Sequence, residues 1–204
     1  FLRKEIAGFR TNIRREQSCS IKSLTRDYLY KQLLSSGEYT FDHMLVIKDP
    51  YGEAPLTALA LFILEEPACV RVTTKGNLKE TDFVTELPKK KEHRVPILGM
   101  YAEKANDIVI EILDDEGNCV KSHTFTIRTK RLPKSLRNVI TVKKWTDKPA
   151  YSNIMINGGV KIHTCVFDIE GEIRYYLSRK PRGYGIFPLS DGHFFYMEKY
   201  ISVP

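Results

Sequence analysis

DIVIEILDDEGNCVKSHTFTIR, residues 107–128, is the stretch that decides the fold class. Asp107–Leu113 and Val120–Arg128 read as two short strands. Asp114-Asp115-Glu116-Gly117-Asn118 between them is turn chemistry, because Gly and Asn tolerate the positive φ that a tight turn demands. The turn is acidic, yet it lacks the alternating oxygen ligands and the distant bidentate Glu of a calcium loop, so it reads as a hairpin. Working outward toward the N-terminus, the same signature repeats in Phe41–Lys48, Leu56–Leu64, Cys69–Thr74, Asp82–Leu87 and Arg94–Leu98, with a second turn at Asp49-Pro50-Tyr51-Gly52. Seven short strands in about 90 residues predict an immunoglobulin-like β-sandwich over residues 37–128.

On the C-terminal side, residues 129–150 read as a basic linker with Pro133, Pro149 and Trp145, and Val139–Val142 reads as an added strand. Residues 151–204 follow as a block of four strands: Val160–Phe167, Glu172–Leu177, Tyr184–Leu189 and His193–Tyr200, with turns at 168–171 and 190–192. This antiparallel meander of about 40 residues has the size and turn spacing of one β-propeller blade. A lone blade cannot cover both faces of its sheet, so the reading is that of a truncated propeller in a longer protein. The first residue is Phe rather than Met, which fits the same expectation. Residues 1–36 read as a helical N-terminal segment. Leu2, Ile6, Phe9 and Ile13 form one helical stripe, and a second helix runs from Thr25 through Tyr28, Leu29 and Leu33 to a stop at Gly37. The first of these is basic and amphipathic; packing on the body of the protein is favoured over docking on a membrane surface.

Charge is divided unevenly. Residues 1–36 carry 8 basic and 3 acidic side chains (+5), residues 37–128 carry 11 and 16 (−5), and residues 129–204 carry 13 and 6 (+7). With the middle block acidic, a nucleic-acid interface is not indicated. Lys89-Lys90-Lys91 follows Pro88 and reads as a solvated loop. The longest apolar stretch, Leu56–Leu64, falls far short of the roughly 20 residues of a membrane span. Cys19, Cys69, Cys119 and Cys165 include no pair at metal-ligand spacing, so buried free thiols are the favoured reading and a long-range disulfide the alternative. None of the histidines, His43, His93, His123, His163 and His193, sits beside an obvious orienting carboxylate in sequence. No nucleophile elbow, phosphate-cradling loop or HExxH motif is present.

Three segments carry a resemblance. Asp49-Pro50-Tyr51-Gly52-Glu53-Ala54-Pro55-Leu56-Thr57-Ala58-Leu59 resembles the opening segment of bacterial aryl-sulfate sulfotransferases. Val95-Pro96-Ile97-Leu98-Gly99-Met100-Tyr101, with Ala105-Asn106 soon after, is similar to that family's Val-Pro-Ile-x-Gly-Leu-Tyr segment. Phe167-Asp168-Ile169-Glu170-Gly171-Glu172-Ile173-Arg174-Tyr175-Tyr176-Leu177 looks like its first-blade hairpin. The three fall in the family's order and span residues 49–177.

The resemblance implies a sandwich followed by a propeller whose central channel holds the active site. It also implies sulfuryl transfer from a phenyl sulfate donor to a phenol acceptor through a histidine nucleophile, with no nucleotide donor. The family's catalytic histidines belong to later blades and fall on no histidine of this sequence, so the 204-residue chain is expected to be inactive. Arg182-Gly183-Tyr184 resembles the blade-one segment whose Tyr contributes to the aromatic wall of the substrate site, which makes Tyr184 the one substrate-binding candidate. The resemblance calls for no metal or diffusible cofactor, leaves room for a homo-oligomer, and leaves the compartment, periplasmic or cytoplasmic, open. The alternative from another functional class is a non-catalytic Ig-like module that binds or associates.

Overall fold

The structure is a computed structural model that describes residues 18–143, 153–156, 163–178, 186–188 and 194–196, with side chains described for 24–143 and 163–178. The helix expected over the first 16 residues, Tyr184, His193 and Trp145 lie outside these residues.

Helix α1 spans Ser18–Ser35 and so begins earlier than the expected Thr25. It stops where the sequence places the stop: Gly37 takes φ +72° and its N–H donates to the Leu34 carbonyl, 3.1 Å away. Its buried face is Tyr30 and Leu34, with Leu33 beside them, whereas Tyr28 is 63% exposed and does not belong to that face.

Five strands follow: β1 Leu45–Lys48, β2 Ala58–Thr74, β3 Phe83–Ile97, β4 Ala105–Leu113 and β5 Cys119–Arg128. Seven short strands are therefore corrected to five, two of them long. Leu56–Leu64 and Cys69–Thr74 are two halves of β2, joined through an irregularity between Ile63 and Val70. Asp82–Leu87 and Arg94–Leu98 merge into β3, and Lys89-Lys90-Lys91 lies in that strand rather than in a loop. Pairing explains why. Among the described residues β2 is the only strand paired with β3, so Pro88 and Pro96 sit on an edge strand, where a missing N–H costs least, and exposed lysines discourage a further strand from joining that edge.

All five strands are antiparallel and belong to one sheet, ordered β1-β2-β4-β5 with β3 on the other side of β2. The first half of β2 pairs with β1 and the second half with β4. The sheet closes around a single apolar cluster to which Ala58, Ala60 and Phe62 come from the first half of β2 and Val70 and Val72 from the second. Strands that change layer at a bulge form the corners of sandwiches in this way. Leu59, Leu61 and Ile63 point the opposite way and are covered by α1, so residues 58–62 are buried on both faces. That double burial is why the sequence here is a continuous apolar run and not an alternating one.

Residues 129–143 lie against this body. Leu132, Leu136 and Ile140 pack on the core cluster. Residues 139–142 form no strand, contrary to expectation; Val142 and Ile140 instead pack beside Gly171. Next come β6 Asn153–Ile156, β7 Cys165–Asp168 and β8 Ile173–Tyr176, an antiparallel sheet ordered β6-β7-β8, and a separate antiparallel pair, β9 Ile186–Pro188 and β10 Phe194–Tyr196. The four expected strands of the meander contain β7, β8, β9 and β10. Among the described residues, however, β8 and β9 do not pair, and β7 has β6 on its other side. β6 is a four-residue run close after Pro149, too short to read as a strand from sequence.

Among the cysteines with described side chains, Cys165 is buried, Cys69 half-buried and Cys119 exposed, so the buried-thiol reading holds for Cys165 alone. Cys69 and Cys119 both oppose Leu113, from β2 and β5 on either side of β4. That puts them two strand spacings apart, about 9–10 Å, beyond the roughly 7 Å Cα limit of a disulfide.

Candidate functional site

The three sequence segments that carry the resemblance meet at one end of the sheet. Each serves a backbone or packing purpose there. In the first, Asp49 sits at φ +47°, its carbonyl accepts the Gly52 N–H, and its Oδ1 accepts the Ala54 N–H at 2.9 Å. The turn is held to α1 by a polar cluster. Tyr30 donates to the Pro50 carbonyl, Tyr51 donates to Asp27 Oδ1 at 2.6 Å, and Arg94 Nη2 donates to the same oxygen at 2.5 Å. The Tyr51 hydrogen bond and the Arg94 guanidinium hold the Asp27 carboxyl below the usual carboxylate range against a smaller effect of burial.

In the second segment Val95, Ile97 and Met100 are fully buried. Gly99 takes φ +75°, and a Cβ there would lie 2.7 Å from Phe83, so the position excludes other residues twice over. The Ala105-Asn106 pair follows for a comparable reason. Asn106 Oδ1 accepts the Tyr101 N–H at 2.7 Å, and its Nδ2 donates to the carbonyls of Tyr101 and Lys104, both at 3.1 Å. A buried amide thus satisfies a turn whose backbone has no ladder partner.

The third segment is the β7–β8 hairpin. Asp168 Oδ1 accepts the backbone N–H groups of Glu170 and Glu172 and shapes the turn, while Gly171 supplies φ +87°. Its Oδ2 faces the sheet and meets Arg174 Nη1 at 3.2 Å; both side chains are fully buried. Arg174 also donates from Nε to the Gly99 carbonyl at 2.6 Å and from Nη1 to the Thr81 carbonyl at 2.8 Å and the Tyr101 hydroxyl at 3.0 Å. The Tyr101 hydroxyl in turn donates to Asp168 Oδ2 at 3.0 Å, and its ring lies 3.9 Å below the guanidinium carbon. Burial pushes the Tyr101 phenol up from its ordinary value, so it remains a donor at neutral pH. Arg174 Nη2 is buried with no partner among the described residues. A final backbone bond, from Ser178 N–H to the Glu53 carbonyl at 2.8 Å, ties the third segment to the first.

Chemically, this junction holds and orients. Among its described residues, the hydroxyls beside a carboxylate are the phenols of Tyr51 and of Tyr101, the latter buried under the Arg174 guanidinium, and no serine, cysteine or histidine is paired with a base. Of the described histidines, His93 is buried, stacks on Phe62 at 5.3 Å and bonds through Nε2 to the Lys90 carbonyl. Burial depresses its pKa below the ordinary value. His163 bonds through Nδ1 to the Leu177 carbonyl and sits edge-on to Tyr176. His43 is exposed, and His123 is half-buried beside Phe41 and Phe125. Among the described residues no histidine is hydrogen-bonded to a carboxylate, and no group of three His, Cys, Asp or Glu side chains is placed to hold a metal. Sequence reading missed Arg174 as a core residue, although a signal was available: in β8 it shares its face with Tyr176 two residues on, and that face points inward.

Residues 45–130 match the family model of the arylsulfotransferase Ig-like domain, a span that runs from the first residue of β1 to just past the end of β5. This match supports the arylsulfotransferase resemblance over residues 45–130. No curated protein matched the chain. Two of the three resembling segments fall within the matched residues, and the third, the β7–β8 hairpin, lies beyond them and is bound to the sheet by the Arg174 network. None of the described helices is long and apolar enough to cross a membrane.

Proposed function

We propose that this chain supplies the N-terminal domain of an aryl-sulfate sulfotransferase, and that the β7–β8 hairpin begins the propeller on which catalysis takes place. The observation that carries the reading is the arylsulfotransferase Ig-like match over 45–130. The junction supports it, because a buried ion pair joining the sheet to the next hairpin is what a domain that positions a catalytic neighbour requires. The reaction moves a sulfuryl group without a nucleotide. A neutral imidazole attacks sulfur, the S–O bond to the donor phenol breaks as an S–N bond forms, and the departing phenolate takes a proton. The acceptor phenol then attacks the same sulfur, restores the imidazole and loses its own proton. The environments of His93 and His163 fit packing, and His43 and His123, though near Asp42, make no hydrogen bond to a carboxylate among the described residues. As the family resemblance implies, the nucleophile belongs to a later blade, and residues 1–204 alone are expected to be inactive. Tyr184 contributes an aromatic wall to the donor site.

The test is release of 4-nitrophenol from 4-nitrophenyl sulfate in the presence of a phenol. The complete gene product is expected to catalyse it and residues 1–204 alone are not. Tyr184→Ala in the active protein raises KM about fivefold or more, as loss of about 1 kcal/mol of stacking would. A complete protein unable to transfer sulfate to any phenol overturns the proposal.

A further inference from the structure

The corner of the sheet opposite the Arg174 junction carries an open groove of about 580 Å³. Its origin lies in the path of β2. On the side of β2 that pairs first with β1 and then with β4, Ile63 is bridged to Thr40, and the next residue with a partner is Cys69, opposite Leu113. Residues 64–68 between them have no strand partner on that side among the described residues. The floor of the groove is apolar, made by Phe41, Leu64, Ala68 and Ile112, and Val120 at its margin is 68% exposed. The rim is acidic. Asp42 and Asp115 are already matched, by Lys121 at 2.7 Å and Lys89 at 2.5 Å, and Asp114 is engaged by its own turn. Glu65 and Glu66 are exposed and make no ion pair among the described residues.

We infer that this groove is a docking site for an extended basic polypeptide segment that adds to β2 at residues 64–68. Three features select that occupant. An interrupted ladder offers main-chain donors and acceptors to an extended strand. The apolar floor accepts every second side chain of such a strand, as the two-residue period requires. Glu65 and Glu66 present unmatched negative charge to Lys or Arg at the alternate positions. A nucleic acid is repelled by the same rim, and a purely apolar peptide leaves both glutamates unmatched.

The experiment is calorimetric titration of the 204-residue chain with an acetylated, amidated heptapeptide in which lysine or arginine alternates with valine. Three comparisons accompany it: the same peptide with glutamate at the basic positions, the same peptide N-methylated at alternate nitrogens, and the Glu65→Lys/Glu66→Lys chain. The expected result is saturable binding of the basic peptide only, weakened about tenfold or more by the double substitution and by a rise in salt from about 0.05 to 0.5 M. Loss of binding on N-methylation marks strand addition. Because both glutamates are exposed, the double variant is expected to melt at the wild-type temperature, which separates lost binding from lost folding. The proposal is overturned if the basic peptide does not bind, if the glutamate or N-methylated peptide binds equally well, or if the double substitution leaves binding unchanged.

Discussion

Removing the Arg174 guanidinium is the sharpest test of how the β7–β8 hairpin is held. In Arg174→Met the side-chain volume is largely kept and the charge is lost. The carbonyls of Gly99 and Thr81 lose their donor, and Asp168 Oδ2 keeps only the Tyr101 hydroxyl. Both members of the pair are fully buried, so the change strands a carboxylate in a low-dielectric setting, and breaking one side of such a pair costs about 3–5 kcal/mol. The orphaned Arg174 Nη2 pulls the figure toward the lower end, since methionine removes an unsatisfied donor as well. For urea unfolding with a slope of about 2–3 kcal/mol/M, the midpoint of the chain should fall by roughly 1–2 M. Asp168→Asn should cost a similar amount, because it leaves the guanidinium uncompensated. The double variant should cost less than the sum by about 1 kcal/mol or more, the signature of two groups that need each other. An Arg174→Met cost under about 1 kcal/mol, or simple additivity, would refute the reasoning that this pair latches the hairpin to the sheet.

Gly99→Ala should destabilise the chain by about 2–5 kcal/mol in the same unfolding assay, from the left-handed backbone and the 2.7 Å approach to Phe83 together. His93 gives a pH signature. Its folded pKa lies below the ordinary 6.5, so its contribution is complete above pH 6.5 and is lost as pH falls below that value, where the unfolded state takes up the proton first. Thermal melts of wild type against His93→Phe should converge on acidification, and parallel curves would dismiss the assignment. Asp27, whose pKa is lowered chiefly by the Tyr51 hydrogen bond, contributes fully above the ordinary 3.8 and fades as pH falls through its folded value. Asp27→Asn should therefore loosen α1 at neutral pH, seen as faster amide exchange in residues 24–35, with little further change on acidification.

Local chemistry was sufficient for several elements. Gly37 ends α1, Asp114–Asn118 closes the β4–β5 hairpin, and Asp49–Gly52 turns the chain into β2, because each depends on backbone angles and hydrogen bonds within a few residues. The Ig-like fold was legible for the same reason: strand-sized runs at regular spacing allow few other layers. Of the site, the three segments were legible as segments, and their turn residues explain why their spacing is so particular; Tyr184 falls outside the described residues.

Other outcomes needed the folded chain. Lys89-Lys90-Lys91 reads as a loop because it is uniformly charged and follows a proline, yet the pairs Val70↔Leu87, Ala68↔Lys90 and Ile63↔Glu92 carry it within β3. Arg174 is the clearest case. Sequence predicts a charged residue in a strand to face water, and the local pattern offers only its shared face with Tyr176. What buries it is the arrival of the Gly99 and Thr81 carbonyls, 75 and 93 residues away, and of Tyr101, 73 residues away. A side chain's environment is set by groups distant in sequence, and it is their convergence that offsets the cost of taking a guanidinium out of water.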